Sequence, residues 1–429
     1  MKTNWKEEGK KYLQVPATHL YYFAKWLVLA VMVGLITGLV GSAFWHCLMQ
    51  VTRLRTQYPQ LILGLPLGGL LIVWLYHICG RDQDKGTNMV LSAVREQDRV
   101  PVRITPLIFV STMITHLFGG SAGREGAALQ MGGSIGNGLA RLLKLERKSI
   151  NSMIMCGMSG AFAALFGTPM AAAVFSMEVV SVGLMYYAAL VPCVISSLVA
   201  LGVAKYLGVH GEHFTILELP EFGVIPAAKI ILLAVLCAAV SAVFCMILHK
   251  VSDLAKEKLK NPYIRVVAGS MVILAMTALL GTTDYLGAGM PVIERAMEGE
   301  VRPEAFLFKM LFTAVALGVG FRGGEIVPTL YVGATFGCLV GQYIGMSPSL
   351  CAAVGMAAVF CGVTNTPIST LLIALELFGM EAFPYMMLGI AVSYMLSGYS
   401  GLYHSQRIVY SKLKPEIHHE KAEGHMDKL

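Results

Sequence analysis

The stretch Phe118-Gly-Gly-Ser-Ala-Gly-Arg-Glu-Gly-Ala-Ala-Leu-Gln130 interrupts membrane-type sequence with flexible glycines and one Arg-Glu pair. Ionisable side chains inside a membrane segment are rare and usually functional. The glycines permit backbone angles and close approaches that other residues cannot make, and the sequence that follows, 127–143, is typical of a helix. We therefore predict a helix that begins inside the membrane.

A helix N-terminus at that depth is a ready anion site, because its N–H groups are unpaired and its dipole end is positive. The carboxylate of Glu125 could occupy this site until it is protonated or displaced, which would make it a gate. The alternative is a broken helix whose glycines serve packing and whose Glu125 pairs with Arg124.

The composition is that of an integral membrane protein, since 56 % of the 429 residues are hydrophobic and 14 % are charged. The nine cysteines form no Cys-x-x-Cys pair, so neither a disulfide framework nor a zinc site is predicted. The net charge is +7, but the basic residues lie in end segments and connections, where they set topology. They favour cytoplasmic ends. The apolar stretch 23–49 is too long for a signal-peptide core and indicates a spanning helix.

Several later apolar segments are short. Segments 104–118 and 304–318 have about 15 residues, or roughly 22 Å of helix, too little to cross a hydrocarbon core of about 30 Å. Their ends are tolerated at depth only where protein or a water-filled cavity satisfies the backbone. The pattern favours broken helices around a pathway over a compact bundle of short tilted helices.

An internal repeat relates the two parts of the chain. Segment 157–178 aligns without a gap on 355–376 at an offset of 198, with Thr168/Thr366, Pro169/Pro367 and Glu178/Glu376 in register. Upstream, 123–127 aligns on 324–328 at an offset of 201. The same register pairs Gly132/Gly333 and Gly136/Gly337.

Each half thus carries a glycine-rich break, and transporters built from two such halves bind substrate at their interface. We predict a first inverted repeat with a cytoplasmic N-terminal segment at 1–208, a linker at 209–222, a second repeat at 223–410 and a short polar cytoplasmic tail at 411–429.

Four motifs resemble the CLC family of anion channels and transporters, over almost the whole chain. Gly123-Arg-Glu-Gly126 is similar to the gating-glutamate motif of the family, with Ala127 where proline is usual. Gly324-Glu-Ile-Val-Pro328 resembles the anion-site motif of the second half. Leu402-Tyr403 resembles the segment that supplies the central pore tyrosine, and Gly86-Thr-Asn-Met-Val90 stands where the family commonly has Gly-Ser-Gly-Ile-Pro.

The resemblance implies an all-α integral membrane protein with a CLC-type fold of two inverted-topology halves, made of broken and tilted helices. It implies a halide and proton transporter of the cell inner membrane or plasma membrane, normally a homodimer in the lipid bilayer. An enzymatic activity, a cofactor, a metal site, nucleic-acid binding and nucleotide regulation are not expected. The implied gate and proton-transfer residue is Glu125, and the implied anion-binding residues are Gly123, Arg124, Gly126, Thr87, Asn88, Met89, Gly324, Glu325, Ile326, Val327 and Tyr403.

Within the family, segments 102–107, 114–126, 130–135 and 323–328 are similar to bacterial fluoride/proton antiporters. Those antiporters have a glutamate at the position of Glu325 but usually a threonine at that of Val327. The favoured hypothesis is fluoride export coupled to proton import. A CLC-type chloride/proton exchanger, a passive chloride channel and a non-transporting membrane scaffold are the alternatives.

The inward proton route is open at this point, because Val179 takes the position of the internal proton-relay glutamate of chloride/proton exchangers. Either Glu178 or Glu325 would then serve that route. For Glu178 and its repeat partner Glu376, the alternative is helix capping or a salt bridge. Lys309 lies in an apolar run and is expected to snorkel to the membrane interface.

Overall fold

The computed structural model describes residues 5–81, 84–96, 100–413 and 417–421, and the side chains of 19–81, 84–96 and 100–413. In the described residues, helices account for most of the structure. The α-helices are α1 (Trp5–Gln57), α2 (Leu65–Ile78), α3 (Thr87–Glu96), α4 (Ile104–Leu117), α5 (Glu125–Leu142), α6 (Arg147–Phe166), α7 (Pro169–Glu178), α8 (Leu190–Tyr206), α9 (Val224–Lys258), α10 (Pro262–Leu280), α11 (Met290–Met297), α12 (Ala305–Val319), α13 (Ile326–Ile344), α14 (Pro348–Thr364), α15 (Pro367–Phe378) and α16 (Phe383–Leu396). Short 3₁₀ helices cover Pro59–Gly64 and Tyr187–Ala189.

The helices differ widely in length. α1 has 53 residues and α9 has 35, or about 80 and 52 Å, so both exceed a hydrocarbon core of about 30 Å. In contrast, α4 has 14 residues, α12 has 15 and α15 has 12. Six of the described helical segments are long and apolar enough to cross a membrane. The mixture confirms the predicted membrane protein of broken and tilted helices.

One helix pair recurs in both halves, held by backbone contact at glycine. α5 packs on α6 where a Cβ on Gly136 would lie 2.0 Å from the carbonyl oxygen of Met153. α13 packs on α14 where a Cβ on Gly337 would lie 2.1 Å from that of Cys351. Gly132 and Gly333 make the same kind of contact one turn earlier. The glycines that repeat in the sequence therefore mark equivalent helix crossings.

The halves also exchange helix caps. Glu178, at the end of α7, accepts hydrogen bonds from two backbone N–H groups at the start of α15, the shorter from Ser369 at 2.7 Å. Glu376, in the last turn of α15, accepts hydrogen bonds from the N–H groups of Met170 and Ala171 at the start of α7, both at 3.0 Å. Both helices begin with proline and leave N–H groups that need such acceptors. The capping alternative is confirmed, and the relay role of Glu178 stays a prediction.

A small sheet adds to the all-α architecture. Strand β1 (Ser181–Val182) pairs in parallel with β2 (Arg407–Tyr410), which pairs antiparallel with β3 (Ile417–Lys421). The sheet fixes the chain just after Tyr403. Most of the tail predicted at 411–429 lies outside the described residues, and β3 within it was not predicted. The boundaries of the repeats and linker stay predictions.

The glycine crossings give a stability prediction. Gly337→Ala places a methyl group against backbone, which cannot move aside, so we expect a loss of about 1–3 kcal/mol. The matched control is Gly202→Ala in α8, where no heavy atom outside the adjoining helix backbone lies within 4 Å of the new Cβ, so stability should be unchanged or slightly higher. Thermal unfolding of the purified protein in detergent measures both. Equal melting temperatures would contradict the packing role.

Candidate functional site

The two glycine-rich breaks bind each other directly. The N–H of Gly123 donates to the carbonyl oxygen of Gly324 at 2.6 Å, and the N–H of Gly324 donates to that of Gly123 at 2.9 Å. A side chain at Gly324 would not fit, since its Cβ would lie 2.4 Å from the nitrogen of Gly126. The bridge sets the N-terminus of α5, at Glu125, beside that of α13, at Ile326.

The start of α5 differs from the prediction. The helix begins at Glu125, whereas the sequence placed the start at Ala127, with Glu125 two residues before it. Arg124 is the N-cap, and an acidic side chain in the first turn is favoured by the positive end of the helix dipole. The carboxylate of Glu125 is therefore part of the first turn of α5, at the positive end of that helix.

Glu125 is fully buried and pairs with Arg124, as the packing alternative proposed. Its carboxylate accepts hydrogen bonds from the Nε–H of Arg124 at 3.1 Å and from the Arg124 backbone N–H at 3.2 Å. The Nη2 of the same guanidinium donates to Glu212, in the 209–222 linker, at 2.5 Å. Arg124 is thus shared by two carboxylates, and its role as an anion ligand stays a prediction.

Hydroxyl and carboxyl groups gather at Gly126. A Cβ there would lie 3.2 Å from Oε2 of Glu325 and 3.3 Å from Oγ1 of Thr87, so these two oxygens share one small space. The hydroxyl of Tyr403 lies within electrostatic range of the carboxylates of Glu325 and Glu125. Among the described residues, neither the Tyr403 hydroxyl nor Glu325 Oε2 has a hydrogen-bond partner. Buried polar groups without partners at a convergence point suit a small ligand.

Other predicted site residues lie around this cluster in different roles. Val327 is buried, and its backbone nitrogen lies 3.1 Å from where a Cβ on Gly123 would stand. Asn88 accepts a hydrogen bond from the N–H of Ser405 at 2.9 Å, so its side chain holds the segment that follows Tyr403. Met89 packs against two apolar clusters. Thr87 is the first residue of α3.

Two residues near the site were missed by the sequence analysis. Gln130 donates a hydrogen bond from Nε2 to the Thr87 hydroxyl at 3.4 Å. It lies one helical turn beyond Gly126 in the stretch 118–130, and this spacing could have indicated that its side chain lies on the same helix face as the site. Glu212 is 88 residues from Arg124 in the chain, and no local pattern indicates that contact.

A cavity of about 790 Å³ leads to the cluster from one side. Its wall includes Glu325 and Gln130 at the inner end. Further out it is lined by charged and imidazole side chains, among them Lys85, Arg95, His249, Asp253, Lys256, Arg265, Arg322 and His404. We call the side onto which it opens the cavity face.

The linker lies on the opposite side, which we call the linker face. α9 starts at Val224, just after the linker, and its other end supplies Asp253 and Lys256 to the cavity. Because α9 is about 52 Å long, the two faces are separated by more than a membrane core. Arg124 and Glu212 therefore approach Glu125 from one face, and the cavity approaches Glu325 from the other.

Lys309 corrects a sequence prediction, because it does not reach an interface. The side chain is fully buried, and its Nζ donates to the carbonyl oxygens of Gly287 at 2.7 Å and Tyr285 at 3.2 Å. It also lies 5.0 Å from the ring centroid of Tyr331. Its charge lies within electrostatic range of His116, which contacts the carbonyl oxygen of Gly123.

Comparison with known proteins finds relatives along most of the chain. Residues 68–398 match the family model described as voltage gated chloride channel. The chain is 35 % identical over 400 residues to a chloride/fluoride channel protein of Pseudomonas syringae pv. tomato, covering 92 % of this chain and 88 % of the relative. It is 24 % identical over 390 residues to the H(+)/Cl(-) exchange transporter ClcA of Vibrio cholerae, covering 82 % and 81 %.

Solved structures share the fold. The crystal structure of a CLC-type fluoride/proton antiporter matches with a TM-score of 0.87 and 29 % identity, covering 90 % of this chain and 99 % of that one. The structure of a slow cyanobacterial Cl-/H+ antiporter matches with a TM-score of 0.72 and 19 % identity, covering 87 % and 94 %. The second likeness concerns the fold alone.

The unpartnered hydroxyl of Tyr403 gives a prediction that separates binding from folding. Because this hydroxyl has no hydrogen bond within the described structure, Tyr403→Phe should leave the melting temperature unchanged. It should weaken halide binding about tenfold or more, since a hydrogen bond to a charged ligand is lost. The matched control is Tyr331→Phe, which removes an equally buried, unpartnered hydroxyl beside Lys309. Isothermal titration with sodium fluoride and sodium chloride measures binding; equal affinities in the two variants would contradict the assignment.

Proposed function

The chain belongs to the voltage gated chloride channel (CLC) family, and on that premise we propose that it exports fluoride in exchange for protons. The observation that carries the proposal lies at two joined helix N-termini. There the buried carboxyl group of Glu325 shares a small space with the Thr87 hydroxyl, and the Tyr403 hydroxyl lies within electrostatic range of both Glu325 and the buried Glu125. The names of the fluoride-handling relatives support the same substrate.

The donor set suits fluoride. Fluoride holds its hydration shell tightly, so a protein site must replace it with several well-placed donors. Thr87 and Tyr403 each supply a hydroxyl, and Glu325 supplies a third O–H when it carries a proton. A carboxyl group beside an anion is tolerable only in that protonated form, so Glu325 links anion binding to a proton.

Glu125 supplies the gate. As a carboxylate it is held by Arg124 and by the positive end of α5, where it competes with the anion. When protonated it loses most of that attraction and can move aside, so proton binding and anion entry depend on one side chain. We assign the anion to the space between the N-termini of α5 and α13, with Tyr403 and Thr87 on its cavity side.

Charge distribution supports an orientation. The end of α9, the connection 259–261 and the first turn of α10, on the cavity face, carry Lys250, Lys256, Lys258, Lys260 and Arg265, with Asp253 and Glu257. The linker and the connection 281–304, on the linker face, carry Glu212, Glu218, Glu221, Asp284, Glu294, Glu298, Glu300 and Glu304, with Arg295 and Arg302. Basic connections face the cytoplasm, so we place the cavity there. Anions then enter through the cavity, and protons arrive from the linker face.

For the inward proton route we propose Glu325 over Glu178. Glu325 lines both the buried cluster and the cavity, whereas both oxygens of Glu178 are used in capping α15. One observation favours a second candidate, chloride/proton exchange: Val327 puts no donor where the fluoride/proton antiporters usually have threonine. We also propose a homodimer in the inner membrane, as implied by the family.

Glu125→Gln tests the gate, because the amide imitates the protonated carboxyl and cannot release a proton. In proteoliposomes with a fluoride gradient, wild type should drive protons uphill, and the variant should abolish proton movement. Fluoride flux should also stop, because release of the anion then lacks the competing carboxylate. The control is Glu218→Gln in the exposed part of the linker. Wild-type proton pumping by Glu125→Gln would place the gate elsewhere, and uncoupled anion flux would favour the chloride-type mechanism.

Val327→Thr tests selectivity, since it adds one hydroxyl beside the bridged N-termini at nearly constant volume. We expect the ratio of fluoride to chloride transport to rise, measured with ion-selective electrodes under equal gradients. Val327→Ala removes bulk without adding a donor and should not raise the ratio. Equal or greater transport of chloride by wild type would overturn the choice of fluoride.

A further inference from the structure

Arg124, the neighbour of the gate residue Glu125, pairs with a second carboxylate, that of Glu212. Arg124 is 3 % exposed, and its guanidinium contacts Glu125 at 3.1 Å and Glu212 at 2.5 Å. Glu212 is the more exposed carboxylate, with 24 % of its side chain accessible. One buried cation thus joins the gate to a carboxylate that reaches the linker face.

The linker that carries Glu212 is anchored on both sides of the contact. Gly211 passes against Gly167 at the end of α6, where a Cβ on Gly167 would lie 2.5 Å from the Gly211 Cα. The N–H of Phe214 donates to the carbonyl oxygen of Leu377 at 3.1 Å. These contacts fix the backbone around Glu212, so its carboxylate does not depend on Glu125 for its position.

The surroundings of Arg124 are otherwise positive or polar. On this side of the site lie Arg55 at the end of α1, His116 at the end of α4 and Lys309 in α12. His116 lies within electrostatic range of Arg55, Lys309 and Arg124, and Lys309 within range of Arg55. On the cavity side lie Glu325 and Tyr403.

Glu294 in α11 lies within electrostatic range of Glu212 and is largely exposed. Among the described residues, Glu212 is therefore the carboxylate that pairs with Arg124 in addition to Glu125.

If Glu125 is protonated and moves away, Arg124 loses this ion-pair partner. A buried charge without a partner is strongly unfavourable, so a bare Arg124 would draw the ionised form of Glu125 back and hold the gate shut. A second, fixed carboxylate removes that penalty, because Arg124 stays paired in both gate positions.

We propose that Glu212 is the retained counter-ion of Arg124, a positioning residue that lets protonated Glu125 leave the anion path. The proposal rests on the proposed function of Glu125 as a moving gate. It assigns to the linker between the halves a direct part in gating, in addition to its role as a connection.

The first test is transport by Glu212→Gln as a function of pH on the linker face. Loss of this negative charge leaves Arg124 with a net positive field that favours ionised Glu125, so more protons are needed to open the gate. The rate profile should shift to lower pH by about one unit or more, with the anion-to-proton ratio unchanged. Glu212→Asp should restore the profile at least partly, and Glu218→Gln should not move it. A profile of Glu212→Gln that coincides with wild type would overturn the proposal.

The second test needs no transport and so stands apart from the choice of substrate. In wild type, Glu212→Gln leaves Glu125 to pair with Arg124, but in a Glu125→Gln background it leaves the arginine without either carboxylate. The melting temperature should therefore fall more in the second background than in the first. A double variant that fails to fold while both single variants fold is the extreme form of this result. Equal losses in both backgrounds would overturn the proposal, whereas failure of wild type to move fluoride or protons would overturn only the proposed function.

Discussion

The mutual hydrogen bonds of Gly123 and Gly324 are the constraint on which the site depends. They join two helix N-termini that belong to different halves of the chain, 201 residues apart in register. Each terminus alone offers a weak positive end, but side by side their fields add at one point. At Gly324 the contact excludes a side chain, because a Cβ would lie 2.4 Å from the backbone nitrogen of Gly126. A small anion can therefore be attracted without a side-chain cation in direct contact with it.

The third wall of the site comes from the segment that follows α16, which contains no helix in its described residues 397–413 and 417–421. Tyr403 is positioned by the polar contacts of two residues that follow it, Ser405 and Gln406. Ser405 is bound by the side chains of Asn88, Ser92 and Arg95 from α3. Gln406 donates to the carbonyl oxygens of Val179 and Thr364, which lie at the ends of α7 and α14. The hydroxyl of Tyr403 itself stays unpaired within the described structure, since its neighbours do the holding.

The fold, and the residues that lie at the two joined helix N-termini, could be predicted because their signals are local or repeated. Glycine spacing marked the breaks and the helix crossings, and the repeat related one half to the other. What the sequence did not indicate depends on contacts between distant segments. Lys309 can be buried because carbonyl oxygens of the 281–289 connection accept hydrogen bonds from its Nζ. Glu212 contacts Arg124, which is 88 residues away in the chain. The start of α5 lies two residues before the predicted one, because Glu125 is part of the helix. The dipole of α5 favours an acidic side chain there, and the pattern of apolar residues does not indicate it.

The exchanged caps of α7 and α15 have a consequence for biogenesis. The N–H groups at the start of α7 wait for Glu376, which is 206 residues further along the chain from Met170. At a synthesis rate of about 5–20 residues per second, on the order of 10–40 s pass before the ribosome supplies that carboxylate. During this interval the N–H groups at the start of α7 lack the carboxylate that caps them in the finished chain. A truncated or stalled chain thus differs from a finished one in the uncapped N–H groups at the start of α7. Membrane proteases and chaperones can recognise incomplete products by this difference.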